Sequence, residues 1–354
     1  MTTNKLQEIL TNSAPNAFIC YNTEHVLTSL ILSYYFQNKN YIYICNRFSG
    51  YRQLAKKINN QYRFTEKALA IDDNNLKDKN MPRNPLKKII RLLFYKKHLR
   101  NLFSERLYIK PLKTSDIFLY NDGQFLSQYI VTNFDNLYLL EEGIGNYASI
   151  HFSFASILKK LHGIYPPYGR NPRIKNIFVK RPQMLPSSIR HKGSYFNKTR
   201  YTKNIPKNIR SKLVKIFLDQ TSLQATLKNS ALLITQPFSE DLVISEEKKL
   251  DIYEEIVDQL SQQFAIYIKP HPREKTDYSF FNSRVEQVFD NIFPIEIINY
   301  MQNIHFKIAV TLSSSAISRL NPKIETYELG DILSDDEKYF REIKNNLHNI
   351  IDKI

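Results

Sequence analysis

A chain of 354 residues with 42% apolar side chains can fill the cores of two ordinary domains, which excludes global disorder. A formal charge of +16 favours polyanionic partners such as nucleic acid, anionic lipid or acidic glycan, and the two cysteines, Cys20 and Cys45, give no disulfide framework and fit a reducing compartment. No segment approaches the roughly 18 uninterrupted apolar residues of a membrane span, and Met1-Thr2-Thr3-Asn4-Lys5 has no signal core, so the expected location is the cytosol, free or peripheral on the inner membrane.

In chain order, Ala17-Phe18-Ile19-Cys20-Tyr21 predicts a buried strand, and 24–36 follows with the helical spacing of Val26, Leu27, Leu30 and Ile31. Tyr41-Ile42-Tyr43-Ile44-Cys45 is the next strand. After a polar stretch, Asp116-Ile117-Phe118-Leu119-Tyr120 and Leu137-Tyr138-Leu139-Leu140 flank a helical pattern over 124–131. This βαβ rhythm predicts a parallel sheet. From about 152 to 211 the periodicity degrades into a basic region punctuated by Pro166, Pro167, Pro172, Pro182, Pro186 and Pro206, read as irregular structure leading to a linker over 203–220. A second series then runs through strand Ala231-Leu232-Leu233-Ile234-Thr235, a helix over 246–262, strand Phe264-Ala265-Ile266-Tyr267-Ile268 and a short helix over 295–301. Strand Ile308-Ala309-Val310-Thr311, a helix opened by serines and an amphipathic helix over 335–351 complete it. The expected fold class is α/β: two Rossmann-like domains, 1–215 and 216–354, facing each other across a cleft in the GT-B arrangement, with ligands at the carboxyl ends of the strands. The last helix is a candidate to cross back to the first domain.

Three short motifs follow predicted strands. In Glu141-Glu142-Gly143, with Gly145 nearby, the glycines would let the backbone turn and leave a carboxylate at the sheet edge, able to act as a general base; the same residues also suit a solvated loop. In Lys269-Pro270-His271-Pro272-Arg273 the prolines stiffen the chain around one imidazole, which could donate to a leaving phosphate with Lys269 or Arg273 adding positive charge, or could simply occupy a turn. Thr311-Leu312-Ser313-Ser314-Ser315-Ala316 places hydroxyls where a strand gives way to a helix, as phosphate ligands or as ordinary caps. Glu296 opens the helix over 295–301 and could accept ribose hydroxyls or only stabilise that helix start.

Together these residues resemble the bacterial sialyltransferases that share an acidic-acidic-Gly, a His-Pro and a Ser-Ser motif: the lipooligosaccharide sialyltransferases of family 52 and the capsular polysialyltransferases of family 38. Leu139-Leu140-Glu141-Glu142-Gly143-Ile144-Gly145-Asn146-Tyr147 looks like both families, Lys269-Pro270-His271-Pro272-Arg273 matches closely, and Ser314-Ser315-Ala316-Ile317 is the better alignment of the third motif, with Ser313 as the alternative. Phe18-Ile19-Cys20-Tyr21-Asn22-Thr23 and Pro294-Ile295-Glu296 look more like the lipooligosaccharide group, whose Thr-Pro continuation and glutamine are replaced here by Thr23-Glu24-His25. The resemblance implies an inverting transfer without a cofactor or metal, from CMP-sialic acid to an anionic or galactose-terminated surface glycan. It makes the first domain the acceptor side and the second the CMP-sugar side, Glu142 the general base and His271 the general acid. Lys269, Pro272, Arg273, Glu296, Ser313, Ser314 and Ser315 then line the donor, and no Asp-x-Asp or His/Cys metal-ligand spacing occurs.

Basic residues concentrate at Lys87, Lys88, Arg91, Lys96, Lys97, Arg100 and Arg106, interleaved with apolar ones, and again from Lys159 through Lys215. The first set reads as an amphipathic helix, either an ordinary surface helix or one that docks on an anionic membrane. Two rivals stand beside the transferase reading: a basic nucleic-acid-binding protein, for which no zinc finger, RNP-like or helix-turn-helix signature is present, and a GT-B transferase using another nucleotide sugar such as CMP-Kdo.

Overall fold

The computed structural model describes residues 5–73, 87, 90, 93–103, 108–149, 160–218, 229–281, 283–301, 305–334 and 336–353, with 144 and 315 by backbone alone. The chain divides into two units, Met1–Pro206 and Lys207–Ile354.

Seven strands form the sheet of the first unit: β1 (Asn16–Cys20), β2 (Asn40–Cys45), β3 (Lys67–Ile71), β4 (Asp116–Leu119), β5 (Leu137–Leu140), β6 (Ile174–Val179) and β7 (Gly193–Tyr195). Their order is β3-β2-β1-β4-β5-β6-β7, and every pair is parallel. Because helices cover parallel sheets on both faces, the central strands read as continuous apolar runs, and β1, β4 and β5 are buried along their whole length. On one face Phe18, Phe118 and Tyr138 stack across β1, β4 and β5 with centroids 5.2 and 5.3 Å apart. On the other, Ile19, Leu119, Leu139 and Ile177 pack with Leu126 and Ile130. The longer helices are α1 (Thr23–Tyr35), α2 (Tyr51–Gln61), α3 (Tyr95–Phe103) and α4 (Phe125–Asn133). Asn22 starts α1 by accepting the His25 N–H at 2.8 Å, which satisfies one of the unpaired donors of the first turn. Over its described residues, from 160 on, the basic, proline-punctuated region is not irregular: it contains β6 and β7, the latter a short, partly exposed edge strand, Gly193-Ser194-Tyr195, with little apolar signal.

The second unit holds β8 (Ser230–Ile234), β9 (Ala265–Lys269), β10 (Gln287–Val288), β11 (Ile308–Thr311) and β12 (Glu325–Glu328), in the order β10-β9-β8-β11-β12 and again all parallel. The expected linker over 203–220 is largely helix α5 (Lys207–Phe217), which buries Ile209, Leu213, Ile216 and Phe217. It packs on the turn Ile295–Tyr300, where the Arg210 guanidinium lies 5.8 Å from the Tyr300 ring centre. The boundary therefore falls at 206/207 rather than 215/216, because the apolar stripe of α5 belongs to the second core. Helix α6 (Glu246–Leu260) starts at Ser245, whose hydroxyl accepts the Lys248 N–H at 3.2 Å. The last helix, α7 (Glu337–Ile351), places Ile343, Leu347 and Ile350 in one core with Ile252 and Ile256 of α6, so its apolar face packs on its own unit. Asp336 caps it; Asp335, expected as its first residue, lies outside the described residues. No helix among the described residues is long and apolar enough to cross a membrane.

Candidate active site

In a doubly wound sheet the strand order reverses at one point, and the loops beyond the carboxyl ends of the flanking strands open a crevice there. In the first unit that point lies between β1 and β4, next to β5. Beyond these three strands stand Asn22 and, in the first turn of α1, His25; Asn121 and Asp122; and Glu141 and Glu142.

The two adjacent acids have different environments. Glu141 is tied down: its carboxylate accepts the Tyr147 hydroxyl and, at 2.9 Å, the Lys180 N–H beyond β6. Glu142 is half-buried and accepts one hydrogen bond from Asn121 Nδ2 at 2.8 Å, while Nε2 of buried His25 lies 3.9 Å from its other oxygen. Burial pushes the Glu142 carboxyl up to about 7, and the nearby Glu24 and Asp122 carboxylates add to this against the Asn121 hydrogen bond. Such a group is poised to take a proton near neutral pH. The backbone behind it is fixed by buried Asn146, whose side-chain oxygen accepts the N–H groups of Glu142 and Gly143 at 3.0 and 3.2 Å.

Gly145 is needed for a close approach: a Cβ there would lie 2.7 Å from the Tyr168 ring. Gly143 is not needed for a tight turn, since its backbone is extended at φ 160° and a Cβ would meet nothing within 4 Å. Tyr168 and Gly169 have left-handed backbones, at φ 63° and 86°. Their N–H groups both donate to buried Asp122, whose carboxyl burial pushes up to about 6. His25 is itself held on two sides, stacked on Tyr120 with centroids 4.1 Å apart and accepting the Tyr21 N–H at Nδ1 at 3.2 Å.

In the second unit the reversal point lies between β8 and β11, next to β9. The His-Pro loop follows β9 and is pinned by Glu274. This buried carboxylate accepts the His271 N–H, the Thr235 hydroxyl at the end of β8, the Tyr278 hydroxyl at 2.7 Å and the Lys249 ammonium at 2.7 Å. Lys249 is fully buried and also pairs with Glu240 at 3.0 Å. Removing one member of such a network strands the others in a dry interior, at about 3–5 kcal/mol. Lys249→Met is therefore expected to lower the unfolding free energy by roughly 3 kcal/mol in a denaturant titration.

Within the loop, His271 Nδ1 accepts the Arg273 N–H at 3.2 Å, so the neutral ring carries its proton on Nε2. Burial pulls the imidazole down to about 4, helped by the Arg273 and Lys269 charges, so it is neutral at pH 7 and a hydrogen-bond donor at Nε2. Pro272 is half-buried beside it.

The other expected donor-side residues divide. Lys269 is buried and turned inward: its ammonium donates to the Pro270 and Asn291 carbonyls at 2.6 and 3.3 Å and is pulled down to about 7 by burial, so it braces the loop rather than facing a ligand. Arg273 is exposed and paired with both oxygens of Asp241 at 2.6 and 2.9 Å. Ser313 donates its hydroxyl to Asp331 at 2.7 Å and its N–H to Gln236 at 2.9 Å, which ties the β11 loop to the end of β8. Ser314 caps a five-residue 3-10 turn, Ser315–Arg319, by accepting the Ala316 N–H at 3.4 Å; the expected serine-opened α-helix is this turn. The Ser315 side chain lies outside the described residues. Glu296 opens a 3-10 segment rather than an α-helix, and its carboxylate pairs with Arg319 at 3.3 Å.

Sequence reasoning missed His25, Asn121, Asp122, Glu274, Thr235 and Gln236 as site residues. Asn121-Asp122-Gly123 was visible as a second polar-acidic-Gly step after a strand, and Glu274 directly continues the His-Pro phrase. Among the described residues no three His, Cys, Asp or Glu side chains cluster as a metal site.

Two doubly wound units with their polar loops at the carboxyl strand ends define a GT-B fold. Likeness to a solved structure shows the same: UDP-GlcNAc 2-epimerase from Methanocaldococcus jannaschii, in complex with UDP-GlcNAc and UDP, matches with a TM-score of 0.52 and 13% identity over 96% of this chain and 93% of that one. The protein is a glycosyltransferase, and the chain belongs to glycosyltransferase family 52, whose family model matches residues 40–328. It is also 27% identical, over 267 residues, to an uncharacterized protein of Haemophilus influenzae, covering 74% of this chain and 86% of that protein. Membership in this family sets aside the reading of a nucleic-acid-binding protein without enzymatic activity.

Proposed function

We propose that this glycosyltransferase is an inverting sialyltransferase using CMP-sialic acid, and that its acceptor is a galactose-terminated glycan of the lipooligosaccharide type. The observation that carries the reading is Glu142, a half-buried carboxylate held near neutrality after β5, in a chain of family 52. Glu142 takes the proton of the acceptor hydroxyl. The acceptor oxygen bonds to the anomeric carbon of the sialyl group as the bond from that carbon to the phosphate oxygen breaks, and CMP departs with the electron pair. His271 donates from Nε2 to a phosphate oxygen, and the Ser313–Ser314 turn offers further polar contacts to the nucleotide.

The test is incubation with CMP-sialic acid or CMP-Kdo and either a lactose-terminated glycan or an oligosialic acid, followed by product sizing. A single addition to the lactose-terminated glycan from CMP-sialic acid is expected. A ladder on oligosialic acid would replace the acceptor assignment, and transfer from CMP-Kdo alone would replace the donor. Because the imidazole takes the place of a divalent ion at the leaving group, the rate in EDTA is expected to equal the rate in Mg²⁺; a strict Mg²⁺ requirement would overturn that assignment.

A further inference from the structure

Among the described residues, the basic amphipathic segment presents one apolar set that is buried and one that is exposed. Helix α3 buries Tyr95, Leu99, Leu102 and Phe103 in the core of the first unit, where the Tyr95 hydroxyl donates to Gln128 of α4 at 2.7 Å. The helix is thus fixed to the body of the domain. One turn earlier, Ile90, Leu93 and Phe94 are 57%, 48% and 62% exposed. Helical hydrogen bonds link Ile90 and Phe94 to α3: the Phe94 N–H donates to the Ile90 carbonyl at 3.3 Å, and the Phe94 carbonyl accepts the His98 N–H at 3.0 Å. Lys96, Lys97 and Arg100 are exposed on the same helical run. Between Asp78 and Glu105 the sequence has no acidic residue.

Exposed large apolar side chains elsewhere, such as Leu161, Leu242 and Leu333, stand singly along the chain. Three within five residues, flanked by cations, need a surface that takes apolar side chains and negative charge together. A second copy of the chain meets that poorly, because a two-fold contact would set this cationic face against itself. Nucleic acid answers the charge and not the apolar trio. An anionic bilayer answers both, with the apolar groups entering the acyl boundary and the cations remaining among the headgroups.

We propose that the face formed by Ile90, Leu93 and Phe94 with Lys96, Lys97 and Arg100 docks the protein on an anionic phospholipid surface. This goes beyond the transfer reaction, since it concerns where the enzyme works rather than what it transfers.

The test is flotation of the full chain with vesicles of phosphatidylcholine alone or mixed with phosphatidylglycerol. The wild-type protein is expected to float with the mixed vesicles only. Lys96→Gln with Lys97→Gln is expected to weaken partitioning by about 25-fold, roughly five-fold for each cation. Ile90→Ser, Leu93→Ser and Phe94→Ser together are expected to weaken it on the order of ten-fold or more. Because these side chains are exposed and outside the catalytic machinery, both variants are expected to keep the wild-type melting temperature and turnover on a soluble acceptor, which separates this proposal from the sialyltransferase reading. Failure of the wild-type protein to float, or equal flotation of wild type and variants, would overturn it. So would an apolar-trio variant that floats normally but passes from dimer to monomer, which would make the face a contact between copies.

Discussion

Glu142→Gln is expected to lower kcat by about 10³-fold while leaving CMP affinity unchanged, because the amide keeps the shape of the carboxylate and its contact with Asn121 but cannot accept a proton. The pH dependence sharpens the test. Burial holds the Glu142 carboxyl at about 7, with Glu24 and Asp122 acting in the same direction and Asn121 against it, and the base works only when ionised. The wild-type kcat/KM should therefore rise with pH through about 7 and level off above it.

The same raised value has a cost in stability. The unfolded carboxyl ionises near 4.5 and the folded one near 7, so the contribution of the protonated group is complete below the first value and is lost as pH rises through the second. Glu142→Gln removes that loss. Its melting temperature relative to wild type should accordingly be higher at pH 8 than at pH 4, an inactive variant gaining stability where the wild type buries an ionised carboxylate. A wild-type rate in Glu142→Gln would assign the base to another residue, with Asp122 excluded from that role only if Asp122→Asn also turns over.

The parts of the fold that sequence reasoning reached are those where burial on both faces writes itself into composition. β1, β4, β5, β8 and β11 are buried along their whole length and mostly apolar, and each was anticipated to within a residue at either end. Of the missed strands, β6 is buried at all but one position, and Lys175 and Asn176 interrupt its apolar run; in the others that physics is weak. β3 alternates exposure, β7 and β12 are edges with polar or exposed faces, and β10 is two residues long. Helix α5 was hidden for another reason: four basic residues, Lys207, Arg210, Lys212 and Lys215, interrupt the stripe of Ile209, Leu213 and Ile216 in the sequence. At the site, a strand followed by a short polar motif located the loops, but the motif could not say which side chain is free. Lys269 appears as available in the sequence as His271, and only packing turns its ammonium inward to the Pro270 carbonyl. Glu274, one residue after an arginine, carries nothing in the sequence that marks it as buried. In the fold it is the buried acceptor that closes the loop.

The second large effect falls on that loop. His271→Ala is expected to lower kcat by about 10²–10³-fold, the range for losing one preorganised donor at a developing oxyanion. The form of the imidazole decides how that loss should look. Its Nδ1 is occupied by the Arg273 N–H and its basicity is pulled down to about 4, so in the free enzyme it offers a neutral Nε2–H throughout the range in which Glu142 titrates. A protonated imidazole acting as acid would impose a falling alkaline limb on kcat/KM. A neutral donor imposes none, and the wild-type profile should keep the single rising limb set by Glu142. His271→Gln, whose side-chain amide can still donate, should recover part of the alanine variant's loss without altering that profile. Glu274→Gln separates position from chemistry: the ring and its donor remain, but the carboxylate that holds the His271 N–H and the Lys249 ammonium is neutralised. The expected result is a lower kcat with His271 titrating at a different pH by NMR, and partial rescue by Glu274→Asp. An alkaline limb that disappears in His271→Ala would instead make the imidazolium the working form, and would mean that the bound phosphate raises the basicity of His271 past that of Glu142.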